Sequence, residues 1–506
     1  MSSTSPKLSG EVVRDGEKDI NVSTDDISPS PIADQKLHHD GSTVLVPQPS
    51  SDPNDPLNWS VMKKHVYLFV IAVTAFLADY GSSTGAITNL VQPETFGVPE
   101  NIVNHALVGN LFMLGAGGIF VVALSAYFGR LPVLFWFSIV AFLTAAWSAA
   151  ATTLESFEAA RILHGFFSTV AQAGGLMFIK DIFFAHEHPR KINIWSCFIV
   201  VSPYLGPFVA SFITWKSTWP WAYWVLTILW AVALILIVSI MDETYYDRGI
   251  PQDQQPRRKS RLLRLIGVEQ WHSRNQRNTL LQAMSRPAVA ITKVPVILVT
   301  LYYVFTFGWV IGLNATTGVF LHELYHFNSE ASALYFFAPI VATVLGEVTG
   351  HFAFDLSARI YRRRNNGNLE PEARLLPLWF ATPLMVVGIV LLGFTLENHW
   401  HYMVMAVTWG LFVYGIIICT TGINAYLLDA YPEASGEVAA WINFGRTVGG
   451  FIITYYEIPW ITAMGTRNAL GIQASIVAAA FGFIVVLQFW GKRLRDFSGS
   501  VKFATD

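Results

Sequence analysis

The stretch HVYLFVIAVTAFLADYGSSTGAIT, residues 65–88, decides the fold. It is apolar almost throughout, and at about 1.5 Å of rise per residue it is long enough for a hydrocarbon core roughly 30 Å thick. Its one internal charge, Asp79, sits well inside the run. Eleven more blocks of similar length follow, at roughly 104–127, 132–151, 158–179, 194–214, 220–240, 294–318, 331–353, 375–396, 401–427, 438–459 and 470–490. Only Gly129-Arg130-Leu131 parts the third block from the second. With 53% hydrophobic and 13% charged residues over 506 positions, an ordinary soluble domain is excluded. The expected fold class is an all-α membrane protein with twelve transmembrane helices in two six-helix halves, and the lipid bilayer is one partner.

Basic residues favour cytoplasmic loops. The even-numbered connections hold Arg130; Lys180, Arg190 and Lys191; and Arg359, Arg362, Arg363, Arg364 and Arg374, whereas the odd-numbered ones offer Lys216 and Arg467. Both termini are therefore expected in the cytoplasm. Residues 1–60, polar and rich in Ser, Asp and Pro, form an expected disordered tail, and 491–506 a second tail. The halves span 61–240 and 294–490, with a basic loop at 241–293 between them. Within that loop Ser260–Met284 is expected to be partly helical along the inner membrane surface, with Leu262, Leu263, Leu265, Ile266, Trp271, Leu280 and Leu281 on one face.

Other classes are disfavoured. The net charge of −2 implies no nucleic-acid partner. Cys197 and Cys419 both fall inside spans and suggest no disulfide framework, and no metal or cofactor is expected. No GxxxxGK[ST] loop occurs, so nucleotide hydrolysis, and enzymatic activity generally, is not expected. Asn21-Val-Ser and Asn314-Ala-Thr match the glycosylation pattern by chance, given where they fall.

Asp79, Arg161, Glu347 and Arg446 are charges inside apolar runs, at about +2.5 to +3.5 kcal/mol each near the bilayer centre. Polar stripes accompany them: Arg161, His164, Ser168 and Gln172 on span 4, and Asn443, Arg446, Gly450, Thr454 and Glu457 on span 11. Such faces look onto protein or a watery cavity rather than lipid. By depth along the helices, Asp79 at ~21 Å from the inner end of span 1 is expected to meet Arg161 in the outer half. Glu347 at ~9 Å and Arg446 at ~12 Å are expected to meet in the inner half. Trp309, Asn314, Trp409, Tyr414 and Asn424 on spans 7 and 10, with Gln172, are candidates for the substrate cavity. Local echoes suggest duplication: Ser83-Thr84-Gly85 with Thr316-Thr317-Gly318, and Gly206-Pro207-Phe208 with Gly449-Gly450-Phe451.

Asp52-Pro-Asn-Asp-Pro-Leu-Asn-Trp-Ser60 resembles the D-P-x-x-P-x-N-W-S run of the fungal twelve-span drug:proton antiporter group of the major facilitator superfamily. The resemblance covers about residues 52–496. After span 2, Gly129, Arg130 and Pro132 match that family's P-L-S-E-R-Y-G-R-R-P motif, while its acid and two basic residues are missing. Gly350-His-Phe-Ala-Phe-Asp355 followed by Arg359 is the second-half counterpart. Arg161-Ile-Leu-His164-Gly165 is similar to the R-x-x-x-G motif, and Ser202-Pro-Tyr-Leu-Gly206-Pro207 to the antiporter Gly-Pro kink, although Ala210-Ser211 replaces the usual Gly-Gly. The stretch from Tyr431 to Arg446 is also similar to the fungal group.

The resemblance implies proton-coupled export of a small, partly apolar organic compound across the plasma membrane. It implies proton coupling at Arg161 and gating at Gly129, Arg130, Asp355 and Arg359, while the intramembrane charges and polar stripes themselves suggest proton coupling at Asp79 and His164 and an ion pair of Glu347 with Arg446. Protons and a small-molecule substrate are then the partners. Uptake of a nutrient or polyamine by proton symport is the alternative on the same scaffold. A transport-dead receptor is a third reading, suggested by the eroded motif after span 2.

Overall fold

The computed structural model describes residues 45–256, 258–274, 279–365 and 369–501, among which there is no β-strand. Twelve long helices carry the fold: α1 Val61–Thr88, α2 Glu100–Phe128, α3 Arg130–Ala150, α4 Leu154–Ile182, α5 His188–Lys216 and α6 Pro220–Ile240. After the central loop come α7 Val294–Glu323, α8 Phe337–Arg364, α9 Leu378–Glu397, α10 Tyr402–Ala430, α11 Ser435–Met464 and α12 Thr466–Ser498. Eleven of the described helices are long and apolar enough to cross a membrane. The exception is α11, equally long but carrying Glu437, Arg446 and Glu457.

Local chemistry sets the breaks. Gly129, at φ +95°, ends α2 in a region L side chains avoid, so α3 can start at once in a new direction. The bare N–H groups of Arg130 and Leu131 at the start of α3 donate to the Glu243 carboxylate at 3.1 and 3.4 Å. At the end of α6, Arg261 donates to the carbonyls of Val238, Ser239 and Met241 at 2.8–3.0 Å, satisfying acceptors that the helix leaves open.

One correction concerns the segments outside the bundle. Residues 52–60, expected in a disordered tail, are ordered: Asp55 is fully buried and accepts from the backbone of Ser50 and Leu57, both at 3.0 Å. Arg248 pairs with it at 2.8 Å, and Asn58 ties back to the carbonyls of Ser50 and Asp52. Residues 1–44 lie outside the described residues. Residues 260–284, expected to be partly helical, hold two short helices, Arg261–Ile266 and Val268–His272, and the start of a third, Leu280–Ile291. Gly267 at φ +97° breaks the first two, and Arg264 clamps Asp242 through contacts of 2.7 and 2.8 Å. Leu265 is buried against the bundle, while Leu262, Leu281 and Trp271 stay exposed.

In the bundle α1 packs along α5, α7 along α11, and α9 along α10 and α12. The first six helices meet the last six chiefly through α2 against α11 and α5 against α8. The end bearing the start of α1, the α2–α3 and α4–α5 connections, the central loop and the end of α12 is called the basic end here.

Burial pushes the Asp55 carboxyl up, but Arg248 and the two backbone donors outweigh it and hold the group below its ordinary value. A depressed carboxyl contributes stability that is present above the unfolded pKa of about 3.9 and lost as pH falls through the folded value. Arg248→Ala is expected to cost about 3 kcal/mol, because it leaves a buried charge unpaired. Asp55→Asn is expected to melt below wild type at neutral pH, with the gap closing below about pH 4. Thermal unfolding in detergent across pH measures both, and a gap that persists in acid would remove the ionised Asp55 from the account.

Candidate functional site

Asp79 lies two-thirds of the way along α1 and is buried. Arg446 of α11 grips its carboxylate with both terminal nitrogens: Nη1 to Oδ2, and Nη2 to Oδ1 at 3.2 Å. Gln172 of α4 donates to Asp79 Oδ2 at 2.7 Å. Asn443, one turn before Arg446, accepts from Arg446 Nη2 at 3.0 Å. Its own amide donates to the Leu114 carbonyl and to Thr169 Oγ1, at 3.2 and 3.1 Å. The Arg446 guanidinium also lies 5.1 Å from the Phe307 ring centre. A charge pair out of water is sustained only when its remaining donors and acceptors are met, and α1, α2, α4, α7 and α11 all contribute here.

The pair borders a cavity of about 30 Å³, lined also by Ser82, Ser83, Phe307, Pro203 and Asn314. That is space for about one water. It extends from the pair away from the basic end, because Ser82 and Ser83 follow Asp79 along α1.

These pairings differ from those expected by depth. Asp79 binds Arg446 rather than Arg161, and among the described residues Glu347 pairs with no Arg. Helix ends explain part of the difference: α8 runs on to Arg364, which puts Glu347 ~25 Å from that end rather than 9 Å, and α11 begins at Ser435, which sinks Arg446 to ~16 Å. Arg161 reaches α1 one turn beyond Asp79, donating to the Ser82 carbonyl at 3.2 Å with its guanidinium 5.1 Å from the Tyr223 ring. Glu347 accepts from Asn193 of α5 at 2.5 Å, and Thr421 of α10 donates to the same Asn193 at 3.0 Å.

The other candidates scatter. His164 Nδ1 faces Thr144 Oγ1 and the Ala141 carbonyl on α3, at 3.3 and 3.1 Å. Of the six proposed cavity residues, Asn314 lines the cavity beside the ion pair and Gln172 holds Asp79. Trp409 is buried against Tyr204, Tyr335 and Phe336, Trp309 lies near Trp460, and Asn424 donates to its own helix at Thr420. Tyr414 lines an apolar groove between α8 and α10. Arg130 pairs with Asp181 at 3.2 Å, and Asp355 with Arg190 at 2.8 Å, while Arg359 is exposed. At Gly206 an added Cβ would sit 2.7 Å from the Tyr80 carbonyl, so the Gly206-Pro207 step is where α5 closes on α1. Sequence reasoning missed Asn193, Asp181 and Glu243 as partners; the partner of each lies far along the chain.

A family model described as the Major Facilitator Superfamily matches residues 68–454. The MFS transporter cpaT of Aspergillus oryzae is 25% identical over 451 residues, covering 88% of this chain and 90% of that one. The efflux pump radE of Floropilus chiversii is 24% identical over 456 residues, covering 88% and 83%. Among solved structures, the proton:xylose symporter XylE superposes with a TM-score of 0.60 at 17% identity, covering 87% of this chain and 98% of that one, a likeness of fold.

Arg446→Ala is expected to cost about 3–5 kcal/mol, since it strands a buried carboxylate. The Asp79→Asn, Arg446→Ala double variant should lie nearer wild type than the Arg446→Ala single. A double-mutant cycle on melting in detergent measures the coupling, and additive effects would show that the two side chains do not interact.

Proposed function

Since the chain belongs to the Major Facilitator Superfamily, we propose that it exports a small organic compound in exchange for protons by alternating access. In this reading α11 is the eleventh of twelve spans. The basic end faces the cytoplasm with both termini, and the membrane is the plasma membrane. One observation carries the reading: the buried bond between Asp79 and Arg446 joins a helix of the first six to a helix of the last six. Asp79 is then both a proton acceptor and part of the closure between halves.

The cycle follows from that double role. While Asp79 is ionised, Arg446 holds α1 to α11, and Asn193–Glu347 and Arg190–Asp355 hold α5 to α8 toward the basic end. A proton arriving through the small cavity neutralises Asp79, and a neutral carboxyl holds a guanidinium far less firmly. The halves are freed to rock open at the basic end. There the proton leaves, the substrate enters, and renewed pairing closes that end behind it.

Untargeted comparison of metabolites in cells lacking and overproducing the protein identifies the compound, and proteoliposome flux then tests the cycle. Asp79→Asn is expected to lose flux driven by a pH gradient while still binding the compound. Full gradient-driven flux in that variant would end the proposal. In inverted vesicles the sign of the pH-gradient effect separates export from uptake.

A further inference from the structure

Glu457 on α11 is 1% exposed, and among the described residues no cation pairs with it. It lies three turns beyond Arg446 on the same helix face. Its Oε1 is 3.5 Å from Gln473 Nε2 of α12, a long contact, and its Oε2 has no partner. Gln473 is fully buried too, and its Oε1 is likewise bare. Each of the two neighbouring side chains thus keeps one acceptor oxygen unmet inside the bundle. The slot is shaped for the carboxyl: at Gly312 of α7 an added Cβ would lie 2.2 Å from Glu457 Oε2.

One proton removes the buried charge and supplies a donor for the Gln473 oxygen. An ionised carboxylate offers only acceptors, whereas a protonated one is also a donor. The two ends of the Gln473 amide are interchangeable by rotation about its last bond, so its oxygen can be turned to receive that hydrogen. An isolated carboxylate in this place would be far costlier than the neutral acid.

We propose that Glu457 is a second proton-binding carboxyl of the transport cycle, occupied in this conformation and emptied when α11 shifts. It rests on the reading above that release of Arg446 moves α11. The titratable groups around it are few. Along α7 from Phe305 to Phe320 there is none, α12 presents Gln473, and Arg467 is turned to Phe394. On α11 itself Tyr456 is adjacent, and His105 of α2 faces Tyr455 with ring centres 6.4 Å apart. No neighbouring charge fixes the state of Glu457, so access of water to the Gly312 slot decides it.

Infrared difference spectroscopy of the full-length protein in nanodiscs reads the proton directly. Wild type at neutral pH is expected to show the carbonyl stretch of a protonated carboxylic acid that Glu457→Gln lacks. In Asp79→Asn, where Arg446 is released, that band is expected to lose most of its intensity at the same pH. No difference between wild type and Glu457→Gln would overturn the proposal by showing an ionised group. A band of equal intensity in Asp79→Asn would overturn it by showing a proton that never leaves. Because Glu457→Gln is nearly isosteric, melting close to wild type is expected; should it fail to fold, Gln473→Leu is read instead, with the band expected to shift in frequency and an unmoved band counting against the site. The spectroscopic arms need no substrate, so they separate this proposal from failure of the export reading, which flux alone decides. In flux, Glu457→Gln is expected to lower the proton-to-substrate ratio by one.

Discussion

The bond between Asp79 and Arg446 is the interaction on which the rest of the arrangement depends. Two opposite charges in a membrane interior cost several kcal/mol each to dehydrate and recover it only through close, fully satisfied contact. That requirement explains Gln172 and Asn443, which take up a carboxylate lone pair and a guanidinium hydrogen and tie back to α2 and α4. It also explains why the cavity beside the pair is only about 30 Å³. A larger, wetter space would weaken the attraction through its higher dielectric. Closing the bundle here and holding the charges together are one physical event.

Much of the architecture was legible because a membrane interior permits little choice. Backbone groups must bond within the segment, so apolar blocks of ~20 residues must be helices. Gly129 was visible as the break after α2 because only three residues separate the blocks. Helix ends were less legible: α1, α5, α8 and α12 run beyond their apolar cores as amphipathic turns. That mattered most for α8, where the extension to Arg364 overturned the depth assigned to Glu347. The tail before α1 was misjudged for a different reason. Its polar composition suggested disorder, but Asp55 and Asn58 are spent on turns and on Arg248, a residue nearly two hundred positions away that no local pattern reveals.

The candidate site was half legible. Intramembrane charge picked out Asp79 and Arg446, and the stripe on α4 picked out Gln172. The pairing was not readable, because it depends on how tilted helices cross. Trp409, offered as a cavity candidate, lies in this conformation within a buried cluster with Tyr204, Tyr335 and Phe336. In a chain this rich in aromatics, packing absorbs most of them. Asn314 was the better guide, because a buried amide must find partners.

That asparagine leads to an asymmetry between the two ends of the bundle. Pro207 has no N–H to give the Pro203 carbonyl, so α5 leaves an acceptor bare in its middle. Asn314, from the second six helices, donates to it at 2.7 Å. The equivalent gap before Pro203 is met within α5, by Ser202 Oγ on the Ile199 carbonyl at 2.8 Å. One kink is thus self-contained, and the other is satisfied only while the halves touch. A neutral hydrogen bond of this kind is worth about 1 kcal/mol net, and its carbonyl is readily passed to water. Beyond it, toward the end opposite the basic loops, contacts between halves include aromatic and aliphatic ones, such as Phe112 with Phe451, Phe208 with Phe337, and Ile87 and Leu90 against Gly318. The other direction is held by a buried ion pair, by Asn193 on Glu347 and by Arg190 on Asp355. Separating charges in a dry interior costs several times more than separating an amide from a carbonyl. In this conformation the contacts nearer the basic loops are therefore the costlier ones to separate while Asp79 is ionised.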